Sequence, residues 1–141
     1  MNVLVDTSIW SLALRRKGGA VSRDEAALVQ ELTNLVEEGR VCIIGAIRQE
    51  LLRGARTSGN FERLKSAFRR FPDLVPETAD YEQAVELELP LRKHGISGAP
   101  TDLLICAVAL ARKLAVFSAD RDFERFRKVV PLQLHSPARR P

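Results

Sequence analysis

Residues 101–120 read TDLLICAVALARKLAVFSAD, and the fold can be worked out from them. From Leu103 to Ala111 the segment is apolar almost all round, the pattern of a helix buried against a sheet rather than one with a wet face. LAVF (114–117) then makes a short buried strand, and two residues separate it from Asp120. A carboxylate is therefore delivered to the end of what reads as a core strand. The first ten residues, MNVLVDTSIW, do the same: Val3-Leu4-Val5 ends in Asp6, and a helix-like stretch with Trp10 and Leu14 follows.

Working outward, strands and helices alternate. A first strand over about 2–5 leads into a short helix that should end near RRKGG (15–19), where two glycines break it. SRDE offers a capping box, Ser22 at the cap and Glu25 three residues on. Leu28, Leu32, Leu35 and Val36 give the helix that follows an apolar stripe, and Gly39 is its stop. VCII (41–44) is a compact strand, followed by a helix through GAIRQELLRGAR with Ile47, Leu51 and Ala55 on one face. Phe61, Leu64, Phe68 and Phe71 mark a further helix over about 60–70.

LVPE (74–77) reads as an edge strand limited by Pro76. Thr78 or Asp80 starts the next helix, which Pro90 should end or kink. GISGAP is a loop, DRDFERFRK a helix and LQL (132–134) a last strand. This alternation predicts an α/β domain with a mainly parallel central sheet. In such sheets ligands gather at the carboxyl ends of the strands.

The bulk composition fits one soluble globular domain over 1–141, with a core to about 135 and a tail over 136–141. No apolar run approaches the roughly 18 residues that cross a bilayer. No basic-then-apolar leader opens the chain, so a cytoplasmic location without membrane attachment is expected. Cys42 and Cys106 sit in apolar sequence with no C-x-x-C or Cys/His cluster, which argues for reduced, buried thiols and against structural zinc. The formal charge of +4 is compatible with nucleic acid without demanding it.

The acids carry the chemical reading. Asp6 and Asp120 follow strands, Glu50 lies one to two helical turns after VCII, and Asp102 lies in the first turn of the buried helix. All four can meet at one edge of the sheet, with Asp122 as a fifth. Each alone has an ordinary explanation: Asp6 and Asp120 as helix caps, Asp102 as a complement to the helix dipole, Glu50 as a solvated boundary residue, Asp122 as a helix-start acid. Together they differ, because like charges within a few Å repel by several kcal/mol at intermediate dielectric. Such a cluster takes up protons or binds a cation. With oxygen donors only, the cation would be hard: Mg²⁺, or Mn²⁺ in its place. Metal-assisted hydrolysis of a phosphodiester is the chemistry such a site suits.

These stretches resemble the PIN domain, in particular the small stand-alone VapC-type toxins of toxin–antitoxin pairs. VLVDTSIW is similar to the family's first motif, RQELLRG to the second, GAPTDLLICAVAL to the third and VFSADRDFERF to the fourth. The resemblance covers essentially the whole chain. It implies a PIN-like three-layer sandwich and a Mg²⁺- or Mn²⁺-dependent endoribonuclease whose catalytic residues are Asp6, Glu50, Asp102 and Asp120. Asp6, Asp102 and Asp120 would hold the metal, Glu50 acting through water, with Ser8, Ser118 and Asp122 as accessories. It further implies in-line attack by water that leaves 5′-phosphate and 3′-hydroxyl ends, a cognate VapB-type antitoxin and a homodimer. The antitoxin would fill a groove formed by the helices over 22–38, 45–55 and 60–70. Pro90 and Cys106 depart from the expected pattern without touching the acids.

No histidine is needed, and His94 and His135 read as surface residues; Trp10 reads as a core anchor. Arg15, Arg16, Lys17, Arg48, Arg53, Arg121 and Arg125 lie near the acid edge and are candidates for phosphate contact. The main alternative is a PIN-like RNA- or protein-binding module without catalysis. A haloacid-dehalogenase-like phosphatase would want D-x-D, but Ser8 stands where the second Asp should be. A receiver domain would want paired early acids and a lysine after a late strand, which FSAD lacks.

Overall fold

The computed structural model describes residues 1–15 and 22–137. Arg16, Lys17, the two glycines expected to break the first helix, and the last four residues of the expected tail lie outside the described residues. Val3–Val5 (β1), Val41–Ile44 (β2), Asp73–Leu74 (β3) and Ala115–Phe117 (β4) form one sheet in the order β3-β2-β1-β4. Every pairing is parallel, as the alternation predicts. β1 sits centrally, its three residues wholly buried, as expected of a strand covered on both faces. Leu4 lies opposite Cys42 on one side and Val116 on the other.

Helices Thr7–Leu14 (α1), Arg23–Glu37 (α2), Gly45–Arg53 (α3), Ser58–Phe68 (α4), Thr78–Glu86 (α5), Glu88–Lys93 (α6), Pro100–Arg112 (α7) and Asp122–Arg127 (α8) flank the sheet. The Ser22/Glu25 capping box forms at α2, with bonds of 3.1 and 3.2 Å. Gly39, at φ +68°, turns the chain after that helix into β2. Pro100 opens α7 at its first turn, where a missing N–H costs no hydrogen bond, and Leu103 to Ala109 are all buried, as their uniform apolarity requires.

The helix carrying Pro90 breaks earlier than the proline itself. It divides at Leu87, because Pro90 has no N–H to offer the carbonyl four residues back at Glu86. LQL makes a single parallel bridge, Leu134 beside Val116. Trp10 is a core anchor: its Nε1–H donates to the Val5 carbonyl at 3.2 Å, and its ring meets Phe68 edge-on at 5.2 Å. Both cysteines are free thiols, Cys106 buried and Cys42 partly so.

Gly98 marks where the loop into α7 runs closest to another element. A Cβ there would lie 2.8 Å from the Phe126 ring of α8. Gly98→Ala should therefore lower unfolding stability by about 1–3 kcal/mol, the usual cost of overpacking. Urea denaturation checks this, and an unchanged midpoint would contradict the tight contact.

Candidate active site

Parallel pairing brings the ends of β1 and β4 together. Val5 lies opposite Phe117, and the Asp6 N–H continues the ladder by donating to the Phe117 carbonyl at 2.9 Å. Ser118 is thereby set against Asp6. Asp6 Oδ2 accepts from Ser8 Oγ and from Ser118 Oγ, each at 2.8 Å, and more distantly from the Ser8 N–H at 3.4 Å. Asp6 thus caps α1, as its ordinary explanation requires, while remaining only 6% exposed. The two serine hydroxyls lie 3.2 Å apart. Ser8 Oγ accepts from the Ala119 N–H and Ser118 Oγ from the Asp120 N–H, both at 2.9 Å. Asp120 in turn accepts the Asp122 N–H on Oδ1 at 2.9 Å. A connected set of short bonds fixes the turn after β4 around the first acid.

Asp102, three residues into α7, is half-buried and faces this turn. One carboxylate oxygen from each of Asp102, Asp120 and Asp122 lies within 4.8 Å of the others. Burial raises the Asp102 carboxyl from its ordinary 3.8 to about 6, reinforced by the charges of Asp6, Asp120, Asp122 and Glu50. All four other acids thus act on Asp102. Cys106, one turn further along α7, has its thiol pushed up to about 12 by burial and by Asp102 and Asp6. Asp122, expected as a helix-start acid, does open α8 and pairs with Arg125 at 3.4 Å, yet it also belongs to the close trio. Asp6 lies outside that trio and reaches Asp102 through its charge.

Glu50 is exposed on α3, and its Oε2 accepts from Thr7 Oγ1 at 2.7 Å. Thr7 is the contact the sequence reading missed. Its only signal was a hydroxyl beside Asp6, and nothing local says that residues 43 apart will meet. Two other residues correct expectations. Arg48 is committed to structure: its Nε donates to Asp73 at 3.0 Å, its Nη1 to the Phe68 carbonyl at 2.8 Å, and its Nη2 to the Phe71 carbonyl. It ties the end of α4 to β3, a structural role the sequence did not suggest. His135 is not a surface residue either, with its side chain 15% exposed and Nε2 3.0 Å from Glu31. Sequence put it in a loop or tail context, but the segment that carries it pairs with β4. His94 is exposed, as expected.

The family profile of the PIN domain matches residues 3–129. This chain belongs to the PIN domain family. Solved structures of similar fold include FitAcB from Neisseria gonorrhoeae, with TM-score 0.73 and 19% identity over 96% of this chain and 97% of that one. Others are VapBC2 from Rickettsia felis bound to a DNA fragment from their promoter (TM-score 0.70, 19% identity, 96% and 98% covered) and VapBC-1 from nontypeable Haemophilus influenzae (0.72, 16%, 96% and 98%). At these identities the likeness is one of fold. No curated protein sequence matches this PIN domain. Among its described residues no helix is long and apolar enough to cross a membrane.

Fold and charge together give a pH dependence. Between about pH 4 and 6 Asp102 is ionised in the unfolded chain and protonated in the folded one, so stability falls as pH rises through that window and stays lower above it. In metal-free protein, Asp102→Asn should therefore raise the melting temperature at about pH 7.5, with the gain shrinking to nothing near pH 4. Calorimetry in chelator reads this directly; a lower melting temperature for the variant at neutral pH would refute it.

Proposed function

We propose that this PIN domain is a Mg²⁺-dependent endoribonuclease of the VapC toxin type, with Mn²⁺ able to substitute, acting in the cytoplasm under control of a cognate VapB-type antitoxin. The observation that carries this reading is the convergence of carboxylates from separate elements, with oxygens of Asp102, Asp120 and Asp122 within 4.8 Å of one another and Asp6 and Glu50 adding their charge at Asp102. A site so overloaded with negative charge suits a hard divalent ion, and its all-oxygen donors within 4.8 Å fit one. Asp6, Asp102 and Asp120 would hold the ion and Glu50 would act through water; Asp122, which joins Asp102 and Asp120 in the close trio where Asp6 does not, would assist. A divalent ion there supplies Lewis acidity, lowering the pKa of water and offsetting charge on the phosphate.

The remaining work falls to the chain. Ser8 and Ser118 occupy Asp6 Oδ2, so the carboxylate is held in one orientation and its rotation is blocked. Thr7 steadies Glu50, whose exposed carboxylate can accept a proton from the attacking water. Attack by water rather than a ribose hydroxyl leaves 5′-phosphate and 3′-hydroxyl ends.

The antitoxin reading is supported by a groove of about 290 Å³ between α1, α3 and α4, with α1 where the sequence led us to expect the 22–38 helix, Leu14, Leu51 and Leu64 in its wall and Glu50 and Arg15 at its margin. Leu14 is 44% exposed there, an apolar contact left for a partner's amphipathic segment. Tyr81, Val85 and Leu89 form a second exposed apolar face, suited to the homodimer.

Purified protein should cleave RNA in Mg²⁺ and lose at least about 100-fold in rate in chelator or as Asp6→Asn. Asparagine keeps the cap, so circular dichroism of the variant should match the parent. Equal cleavage in chelator or by Asp6→Asn would defeat the nuclease reading. RNA binding without any cleavage would favour the non-catalytic module.

A further inference from the structure

A cavity of about 300 Å³ opens beside the acids on the far side of β4, reaching from Ser118 and Asp120 to the chain segment at 134–137. Leu28 of α2 and Leu134 give it an apolar floor over the buried Val116 and Phe117 of β4, and Ser118, Asp120, Glu124 and Ser136 make much of the rest polar. That floor is held firmly. The Val116 N–H donates to the Gln133 carbonyl at 2.9 Å and the His135 N–H to the Val116 carbonyl at 2.8 Å. The His135 ring packs edge-on against Phe117 at 5.3 Å, anchored by Glu31. Arg121 and Arg127 of the α8 segment line the same cavity. Both are exposed, and neither is ion-paired among the described residues, whereas Arg15, Arg40, Arg48, Arg92, Arg112 and Arg125 all are.

We propose that this cavity is a subsite for one nucleotide of the RNA substrate, next to the cleaved phosphate, and that it sets a base preference. The inference rests on the nuclease reading for its substrate. An acidic centre repels a polyanion, so cations beside it must hold the strand, and Arg121 and Arg127 are free to do so. Single-stranded RNA is read by bases splayed onto aromatic, apolar or guanidinium surfaces. The apolar floor of Leu28 and Leu134 beneath two guanidinium groups offers such a surface, and the volume is that of a small ligand site. The base would lie along Leu28 and Leu134, with its phosphate toward the arginines.

Two measurements test this. In metal-free protein, titration with each of the four nucleoside 5′-monophosphates should shift the methyl resonances of Leu28 and Leu134, and Arg127→Ala should weaken that binding about tenfold. In Mg²⁺, sequencing the products of a randomised RNA should show a preference at one nucleotide flanking the cut. Leu28→Trp, which fills the cavity, should flatten that preference. Arg127→Ala should raise KM about tenfold with kcat nearly unchanged, and Arg127→Lys should restore part of the loss. Unshifted methyls, or an unaltered preference in active Leu28→Trp and an unaltered KM in Arg127→Ala, overturn the subsite. Absent cleavage with shifted methyls leaves the nucleotide site standing and removes the nuclease reading instead.

Discussion

A buried carboxylate at the tip of the central strand organises this molecule. Asp6 is removed from water, and two hydroxyls donate into one of its oxygens, one from its own helix and one from the end of the neighbouring strand. A buried charge is tolerable only when so satisfied. The satisfaction here requires that β1 and β4 stay in register, because Ser118 reaches Asp6 only while Val5 faces Phe117. The acids of the β4 turn are then carried to α7 by the same bonds. The site is a product of sheet register as much as of residue choice.

Such a site works against the fold that bears it. Asp102 holds its proton to about pH 6 because burial and four neighbouring charges penalise ionisation. The apolar helix behind it supplies the opposing term: Leu103 to Ala109 are buried without a break, and β1 and β4 are fully covered. Local charge repulsion set on a rigid apolar support is the arrangement expected where function, rather than stability, chose the residues. Relief from cations is slight: Arg125 pairs with Asp122 at 3.4 Å, and Arg48 is engaged by Asp73 and the carbonyls closing α4.

Much of this was legible in the residues. Strand identity followed from short apolar runs bounded by turns, and parallel order followed from alternation with helices. For the aspartates, placement followed from a position just after a strand or at a helix start; Glu50, mid-way along α3, was placed by its distance from VCII. What escaped was everything that depends on distant partners. Thr7 meets Glu50 across 43 residues, and His135 meets Glu31 across 104. Arg48 sits two residues from Glu50 in sequence but turns toward α4 and β3. Asp122 was read as a helix-start acid that could also join the site as a fifth carboxylate; it opens α8, and the approach of α7 to the β4 turn makes it a neighbour of Asp102. The position of the break near Pro90 also needed coordinates, because a missing donor is felt four residues upstream.

The lone bridge between Leu134 and Val116 has a consequence beyond the cavity it helps to wall. An outermost strand with free amides and carbonyls is a template on which another polypeptide can add itself. Here the returning chain takes up the Val116 amide and carbonyl, leaving little of that template open. At the opposite margin the outermost strand is only two residues long and carries a charged aspartate. Both flanks are thereby poor seeds for sheet extension, which protects the protein from self-association into fibrils at the high local concentrations met during synthesis.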